Sequence, residues 1–124
     1  MPERKLKTVL VVDDDKDILT LASIVLGDEG YEVQTAVDGR EALESLKDHL
    51  PDLILLDMKM PVMDGWEFAR NFRVEHGSAT PIVVFTASVD AKKESQEIGA
   101  VGWLGKPFDL HRLVAVVNRH IRTE

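Results

Sequence analysis

Residues 53–66, LILLDMKMPVMDGW, form an apolar run that ends in a carboxylate at Asp57 and continues into a turn-rich loop. Pro51 and Asp52 bound the run on its other side, which is typical of a short strand buried on both faces of a parallel sheet. A carboxylate inside such a core would be costly unless it were paired. The pattern therefore predicts that Asp57 lies at the end of a strand and faces a cleft, or that it only caps the next segment.

Strand-like and helix-like segments alternate along the whole chain. Apolar runs predict strands at 8–12, 32–36, 53–56, 82–85 and near 101–104. Helical periodicity predicts helices at 16–28, 40–49, 65–75, 90–98 and 109–121. The predicted N-caps and helix ends are Asp38, Asp64 and Asp109, and Gly30, Gly77 and Gly99. This alternation predicts an α/β fold in which helices cover both faces of a parallel sheet.

Length and composition limit the classes of protein to consider. The chain has 124 residues, of which 44% are hydrophobic and 30% charged, so residues 1–124 are predicted to form one domain without a linker. The absence of Cys excludes disulfides, thiol nucleophiles and Cys-based zinc sites. A net charge of -7 disfavours direct nucleic-acid binding. Without a long apolar run we expect no membrane insertion and a cytoplasmic location.

Polar residues directly follow the predicted strands. In an open parallel sheet, ligands bind beyond the carboxyl ends of the strands, so these residues should converge. The segments that follow the five strands are 13–15 (Asp-Asp-Asp), 37–39, Asp57, 86–88 (Thr-Ala-Ser) and 105–107 (Gly-Lys-Pro). Asp57 is therefore predicted to belong to a cluster, which capping alone does not explain.

The predicted cluster has the chemistry of a phosphoryl-transfer site. Converging carboxylates repel one another unless a cation joins them, and oxygen ligands without Cys suit Mg²⁺, with Mn²⁺ as a possible substitute. The metal and Lys106 would neutralise phosphoryl oxygens, the Thr86 hydroxyl would donate to one of them, and an aspartate would be the nucleophile. The histidines are scattered and are interpreted as surface residues: His49, His76, His111 and His120.

Four motifs together resemble the receiver domain of two-component response regulators. They are VVDDD at 11–15, LLDMKMPVMDG at 55–65, VVFTAS at 83–88 and GWLGKPF at 102–108. The resemblance spans essentially the whole chain. It implies a flavodoxin-like (βα)5 fold with strand order 2-1-3-4-5, similar to a stand-alone chemotaxis receiver. It also implies a signalling phosphoacceptor and not an enzyme, with only self-catalysed phosphotransfer and autodephosphorylation.

The resemblance also implies roles for the predicted site residues. Asp57 would accept a phosphoryl group from a phosphohistidine on a sensor histidine kinase or a histidine phosphotransfer protein. Asp14, Asp57 and the backbone carbonyl of Lys59 would bind the metal, and Asp13 would orient metal-bound water. The phosphoryl oxygens would contact Thr86, the backbone N–H of Ala87, and Lys106.

Three positions depart from the common family pattern. By the resemblance, Lys59 and Ser88 would border the path of the hydrolytic water, so the lifetime of the phosphoryl group would depend on these two side chains. Trp103 stands where Tyr or Phe is usual, at the aromatic position that repacks when the threonine moves. By the resemblance, Thr86 and Trp103 would switch the face formed by the fourth helix, the fifth strand and the fifth helix for a downstream protein target. The bond between Lys106 and Pro107 is expected to be cis.

Two helices carry further predictions. The apolar stripe of the first helix sweeps roughly 220°, wider than one buried face needs, so part of it should be exposed. Ile18, Leu21 and Ile24 are the residues expected to dock the phosphohistidine partner. The fourth helix offers only Ala91 and Ile98 as apolar anchors, which predicts low local stability. Trp66 is expected to lie apart from this switch, which would make Trp66→Phe a silent background for observing Trp103.

Two other functions remain open at this point. A small haloacid-dehalogenase-like phosphatase would use a D-x-D pair after the first strand, which Asp13 and Asp15 could supply, although Gly-Thr does not follow and no cap segment is present. A pseudo-receiver would act as an interaction module without being phosphorylated. The Asp residues at 13 and 15 also begin a spacing similar to a calcium loop, but the Gly and the bidentate acid which that loop requires fall on Ile18 and Ile24. Asp15 and Asp17 are interpreted as the N-cap and first turn of the first helix.

Overall fold

Five strands and five helices alternate in the computed structural model, which describes residues 6–123. The elements are β1 Thr8–Val12, α1 Lys16–Asp28, β2 Glu32–Ala36, α2 Gly39–Ser45, β3 Leu53–Asp57, α3 Gly65–His76, β4 Ile82–Thr86, α4 Ala91–Glu97, β5 Gly102–Gly105 and α5 Leu110–His120. Within this part of the chain, no helix combines the length and apolarity needed to cross a bilayer.

All neighbouring strands are parallel, in the order β2-β1-β3-β4-β5. This confirms the predicted α/β sheet and the strand order implied by the resemblance. The order reverses between β1 and β3, and a cleft is expected at the carboxyl ends of the strands on either side of such a point. Residues 1–5 and 124 of the predicted domain lie outside the residues that the structure describes.

Each face of the sheet has its own hydrophobic core. One core joins Val9, Val11 and Leu55 to residues of α1 and α5, and the other joins alternate strand residues such as Leu56 to α2 and α3. Every residue of β1, β3 and β4 is buried. Because successive side chains of a strand point to opposite faces, helices on both sides require an unbroken apolar run. This explains the run that precedes Asp57.

The helix starts follow the sequence signals more closely than the helix ends do. The carboxylates of Asp38, Asp64 and Asp109 each accept a backbone N–H in the first turn of their helix, which confirms the predicted N-caps. Helix α2 is shorter than predicted and ends at Ser45. The next two residues bond three positions back, as in a 3₁₀ turn, so the helical hydrogen-bond pattern stops earlier than the apolar periodicity.

The loop between β3 and α3 contains a strained turn. Val62 has φ of 70°, and the Met63 N–H donates to the Pro61 carbonyl oxygen at 2.7 Å. A hydrogen bond across three residues with a positive central φ is the rare form of the γ-turn, and valine is a poor residue for it. The start of α2 stabilises this loop, because the Gly39 N–H donates to the Met63 carbonyl oxygen at 3.1 Å. A Cβ on Gly39 would lie 2.8 Å from Met63 Cγ, so this contact requires glycine.

Candidate functional site

The ends of β1, β3, β4 and β5 enclose a cleft of about 510 Å³. All seven residues predicted to bind the metal and the phosphoryl group line it, namely Asp13, Asp14, Asp57, Lys59, Thr86, Ala87 and Lys106. Asp57 is the last residue of β3 and does not lie beyond it, since its backbone still pairs with Phe85 of β4. The sheet therefore holds the Asp57 carboxylate in place through ladder hydrogen bonds.

Three carboxylates meet at the floor of the cleft. One oxygen of each of Asp13, Asp14 and Asp57 lies within 4.8 Å of the others. Asp13 is completely buried and its Oδ1 accepts the Asp15 N–H at 2.9 Å, whereas Asp14 is exposed. Three oxygen donors at this spacing fit a hard divalent cation such as Mg²⁺, which accepts carboxylates and keeps several waters. No other group of metal-binding side chains occurs within residues 6–123.

Lys106 lies between two of these carboxylates. Its Nζ is 2.6 Å from Asp13 Oδ2 and 3.6 Å from Asp57 Oδ1. The backbone directs the side chain into the cleft, because the Lys106 N–H donates to the Thr86 carbonyl oxygen at 2.8 Å. The ammonium also lies 4.8 Å from the centroid of the Phe85 ring. The peptide bond between Lys106 and Pro107 is cis, as expected.

The electrostatics of the cleft favour a proton or a cation on Asp57. Burial, followed by the negative charge of Asp13, raises the pKa of the Asp57 carboxyl from 3.8 to about 6. Lys106 and the Lys59 N–H, which lies 3.4 Å from Asp57 Oδ1, lower it again but do not cancel the rise. One lysine therefore does not neutralise three carboxylates. A divalent cation would supply the missing positive charge.

The Thr86 hydroxyl donates no hydrogen bond within residues 6–123. Thr86 is buried at the end of β4, and its Oγ1 accepts the Ser88 N–H at 3.1 Å. Because this bond uses a lone pair, the hydroxyl hydrogen can still donate into the cleft. The loop that follows is fixed by the Ser88 hydroxyl, which accepts the Asp90 N–H at 3.0 Å.

Asp15 lines the cleft, but its side chain caps the N-terminus of α1. Its Oδ1 accepts the backbone N–H groups of Asp17 and Ile18 at 2.9 and 3.4 Å. The interpretation of Asp15 as an N-cap and Asp17 as a first-turn acid is confirmed. None of the four histidines is buried, which agrees with their interpretation as surface residues. Two of them are half-buried: His76 packs against Phe72 with ring centroids 5.2 Å apart, and His120 lies over the backbone of Gly102.

Trp103 lies outside the cleft. It is on β5 and 45% exposed, at the wall of a groove of about 440 Å³ between β5 and α5. The side chains of Arg112, Arg119 and His120 also line this groove. The structure thus places the predicted switch aromatic on the outer side of β5, while Thr86 faces the cleft.

The expectation that Trp66 is remote from the switch elements is wrong. Its indole N–H donates at 3.0 Å to Oε1 of Glu97, which is the last residue of α4. The expectation for α4 itself is confirmed in part, since Ala91 is buried and Ile98 packs against the core. Glu94 and Ser95 are buried as well, which the search for apolar anchors missed.

The stripe of α1 is partly exposed, as predicted. Leu21 is 40% and Ile24 59% exposed, whereas Ile18 is half-buried and lines the cleft. Leu19, Ala22 and Leu26 occupy the buried side of the helix. An apolar surface therefore begins at the cleft and continues along α1.

Comparison with known proteins gives a family match over most of the chain. Residues 9–118 match the model of the response regulator receiver domain. Among curated proteins, the transcriptional regulatory protein PrrA of Mycobacterium tuberculosis is 45% identical over 116 residues, covering 92% of this chain and 49% of that protein. The chain thus spans about half the length of that relative. Sporulation initiation phosphotransferase F of Bacillus subtilis is 36% identical over 115 residues, covering 91% of this chain and 92% of that protein.

Solved structures give the same fold. The chemotaxis protein CheY4 of Vibrio cholerae superposes with a TM-score of 0.86 at 41% identity, covering 94% of this chain and all of that one. The receiver domain of NtrX from Brucella abortus gives a TM-score of 0.85 at 32% identity, covering 94% of this chain and 99% of that one.

Proposed function

The chain belongs to the family of response regulator receiver domains, and we propose that it signals by accepting a phosphoryl group on Asp57 from a partner phosphohistidine. The observation that carries the proposal is the position of Lys106, whose ammonium lies between Asp13 and Asp57 in the cleft that Thr86 also lines. These are the groups needed to hold an acyl phosphate. Receiver domains are signalling phosphoacceptors, so sustained turnover is not expected.

Asp57 is the nucleophile in this proposal. An oxygen of its carboxylate attacks phosphorus while the bond from phosphorus to the partner imidazole breaks, which leaves a neutral histidine on the partner. The β3 ladder fixes the carboxylate, and the cleft opens it to solvent on one side. Asp13 is less suited to attack, because it is completely buried and already paired with Lys106.

Three groups stabilise the transferred phosphoryl group. Lys106 moves its charge toward a phosphoryl oxygen, since it is already within 3.6 Å of Asp57. The Thr86 hydroxyl donates its free hydrogen to another oxygen, and the backbone N–H of Ala87 donates to a third. Donors aimed at the oxygens that gain charge are the usual source of rate acceleration in phosphoryl transfer.

A magnesium ion completes the charge balance. Asp14, Asp57 and the Lys59 carbonyl would hold it, with Asp13 orienting its waters. When bound it supplies positive charge to the carboxylates and to the phosphoryl oxygens. The three clustered carboxylates and the raised pKa of Asp57 support this requirement for a cation.

The contacts of Asp13 and Asp15 argue against a dehalogenase-like phosphatase. Such an enzyme needs a free nucleophile after the first strand. Asp13 accepts hydrogen bonds from Lys106 and the Asp15 N–H, and Asp15 caps α1. Sustained hydrolysis of p-nitrophenyl phosphate would nevertheless favour the phosphatase.

Proteins are the proposed partners. A histidine kinase or histidine phosphotransfer protein would dock on α1, and a downstream protein target would read the face of α4, β5 and α5, where Thr86 and Trp103 act as the switch. The net charge of -7 supports protein contacts over direct nucleic-acid contacts by this chain. The relatives named as transcriptional regulators are about twice as long as this chain, and the half that this chain does not match has no bearing on the partners proposed here.

Labelling with a small phosphodonor tests the acceptor. With acetyl phosphate and Mg²⁺, intact-mass spectrometry should show one added phosphoryl group, and Asp57→Asn should abolish it. Asp15→Asn is the matched control, because it changes a carboxylate of the same cleft while asparagine still caps α1. Undiminished labelling of Asp57→Asn would overturn the assignment. Absence of labelling in the unmodified protein would favour the pseudo-receiver.

A further inference from the structure

Trp66 lies at the boundary between two cavities. One, of about 400 Å³, adjoins the phosphoryl cleft and shares Asp14 and Lys59 with it. The other, of about 440 Å³, lies between α3 and α4 and is lined by Arg73 and Ile98. Trp66 therefore shares one cavity with the loop that follows the phosphoacceptor and the other with the end of α4.

Side chains of α3 hold the C-terminal end of α4. The Trp66 indole N–H donates to Glu97 Oε1 at 3.0 Å. About two turns further along α3, Arg73 Nη2 donates to the backbone carbonyl oxygens of Ile98 and Gly99 at 3.3 and 3.0 Å. Both contacts join groups in different elements, so they depend on how α4 is placed against α3.

The rest of α4 is held weakly. Its N-cap, Asp90, forms no side-chain capping bond, and Val89 before it is 99% exposed. Glu94 is 6% exposed, yet its Oε1 has no hydrogen-bond partner among residues 6–123, which makes burial of this face costly. With so little favourable burial, the position of the helix is sensitive to the hydrogen bonds at its other end, including the one from Trp66.

We infer that Trp66 couples the phosphoryl cleft to α4 through its hydrogen bond to Glu97. The bond holds α4 in the resting position, and rearrangement of the 58–64 loop on occupation of the cleft withdraws the indole and releases the helix. The inference rests on the proposed function of the cleft. It adds a route through α3 to the proposed route through Thr86 and Trp103, and it makes Trp66 a positioning residue.

The expected effect follows from linkage. A contact that exists only in the resting state opposes activation, and removing it must favour the activated state and any ligand that selects it. A hydrogen bond to a charged acceptor at the surface shifts such an equilibrium by about three- to tenfold. Loss of Glu97 should therefore tighten the binding of an activating ligand by that factor.

The test uses beryllofluoride with Mg²⁺ as a mimic of the phosphoryl group. The chain has two tryptophans, so Trp103→Phe leaves Trp66 as the only one. In this background, beryllofluoride should change Trp66 emission and its quenching by iodide. Adding Glu97→Ala should lower the half-saturating beryllofluoride concentration about three- to tenfold. It should also increase amide hydrogen exchange at the end of α4, and Glu97→Gln, which keeps an acceptor oxygen, should restore most of the wild-type affinity.

Two controls separate the hydrogen bond from other effects. Gln96→Ala makes a similar change in helix propensity on the adjacent exposed residue, and Glu75→Ala removes an equal charge from an exposed position on α3. Both should leave the affinity for beryllofluoride unchanged.

The outcomes distinguish this inference from the proposed function. Fluorine NMR reports independently whether beryllofluoride is bound. A bound signal with flat Trp66 emission, or an affinity that Glu97→Ala changes no more than Gln96→Ala does, would refute the coupling alone. No bound signal, together with no labelling at Asp57, would refute the assignment of the cleft and the coupling with it.

Discussion

Asp57 is a carboxylate that folding places where ionisation is unfavourable. Its pKa is raised to about 6 by burial and by Asp13. Between the ordinary pKa and this value, the folded chain takes up a proton that the unfolded chain does not. Above both values, Asp57 is ionised in both states and the folded state bears the cost. The proposed function therefore places a destabilising charge in the resting cleft.

Asp57→Asn should for this reason stabilise the metal-free protein at neutral pH. We expect a gain in the free energy of unfolding of about 1–2 kcal/mol at pH 7–8, less than the roughly 3 kcal/mol that two pH units represent, because the cleft is open to water. The gain should shrink as the pH falls from about 6 and should vanish only below the ordinary pKa of 3.8, where Asp57 is protonated in both states. Urea unfolding in chelator across this range measures it.

The exposed Asp48→Asn serves as the control and should change stability little at any pH. A gain for Asp57→Asn that stays constant down to pH 4 would show that the effect is not ionisation of Asp57. Mg²⁺ should narrow the difference at neutral pH, since it stabilises the unmodified protein and has lost a ligand in the variant.

At the scale of single residues, the sequence predicts which side chains meet at the ends of the strands. It misses the contacts that depend on how two helices pack. Lys106 and Asp13 are 93 positions apart, yet both follow strands and so were expected at one edge of the sheet. Trp66 and Glu97 are 31 positions apart on different helices. Their contact depends on the rotation and spacing of two helices, which hydrophobic periodicity does not determine.

Strand and helix bounds show the same contrast at the scale of elements. Strand β3 is one residue longer than its apolar run because pairing uses the backbone and is indifferent to the charge of Asp57. Strand β5 begins one residue later than predicted, after Val101, whose N–H already bonds to Ile82. Helix α2 ends early, since a late apolar residue such as Leu46 can reach the core from a 3₁₀ turn.

Arg73 forms a link between two elements that the sequence did not reveal. Its guanidinium donates to the carbonyl oxygens of Gly77, Ile98 and Gly99, so it closes the end of α3 and the end of α4 together. Arg73→Ala should lower the free energy of unfolding by about 1–2 kcal/mol, because three charge-assisted bonds are exchanged for water. Urea unfolding measures the loss, and hydrogen exchange should rise around residues 98–101.

Arg70→Ala is the matched control, because Arg70 is an exposed residue of the same helix and also lines the cavity between α3 and α4. It should cost less than about 0.5 kcal/mol. Equal losses of unfolding free energy for the two variants would mean that the lining of this cavity as a whole holds α4, and not the contacts of Arg73 with the carbonyl oxygens.

The whole molecule presents different surfaces on the two sides of its sheet. Helices α1 and α5 pack on one side and α2 and α3 on the other. The exposed apolar residues of α1 continue from the cleft, so a partner that delivers a phosphoryl group to Asp57 can cover them while it docks.

Leu21→Asp or Ile24→Asp should therefore slow phosphoryl transfer from the cognate kinase about tenfold or more, because a charge would be buried against the partner. Phosphorylation by acetyl phosphate should persist, as neither side chain lines the cleft. Val74→Asp makes a comparable change at an 85% exposed valine on α3, across the sheet, and should affect neither donor. Equal loss with both donors would indicate a damaged fold.

The ion pair of Lys106 with Asp13 has a consequence during synthesis. The ribosome adds Asp13, Asp14 and Asp57 well before β5, and Lys106 is added 93 positions after its partner Asp13. A nascent chain thus has these acidic residues before the lysine that pairs with Asp13, and closing a loop over this span carries a larger entropic cost than closing a short one. Under the proposed function, a product truncated before Lys106 keeps Asp57 but lacks one of the groups that stabilise the phosphoryl group, so it should be a poor competitor for the signal.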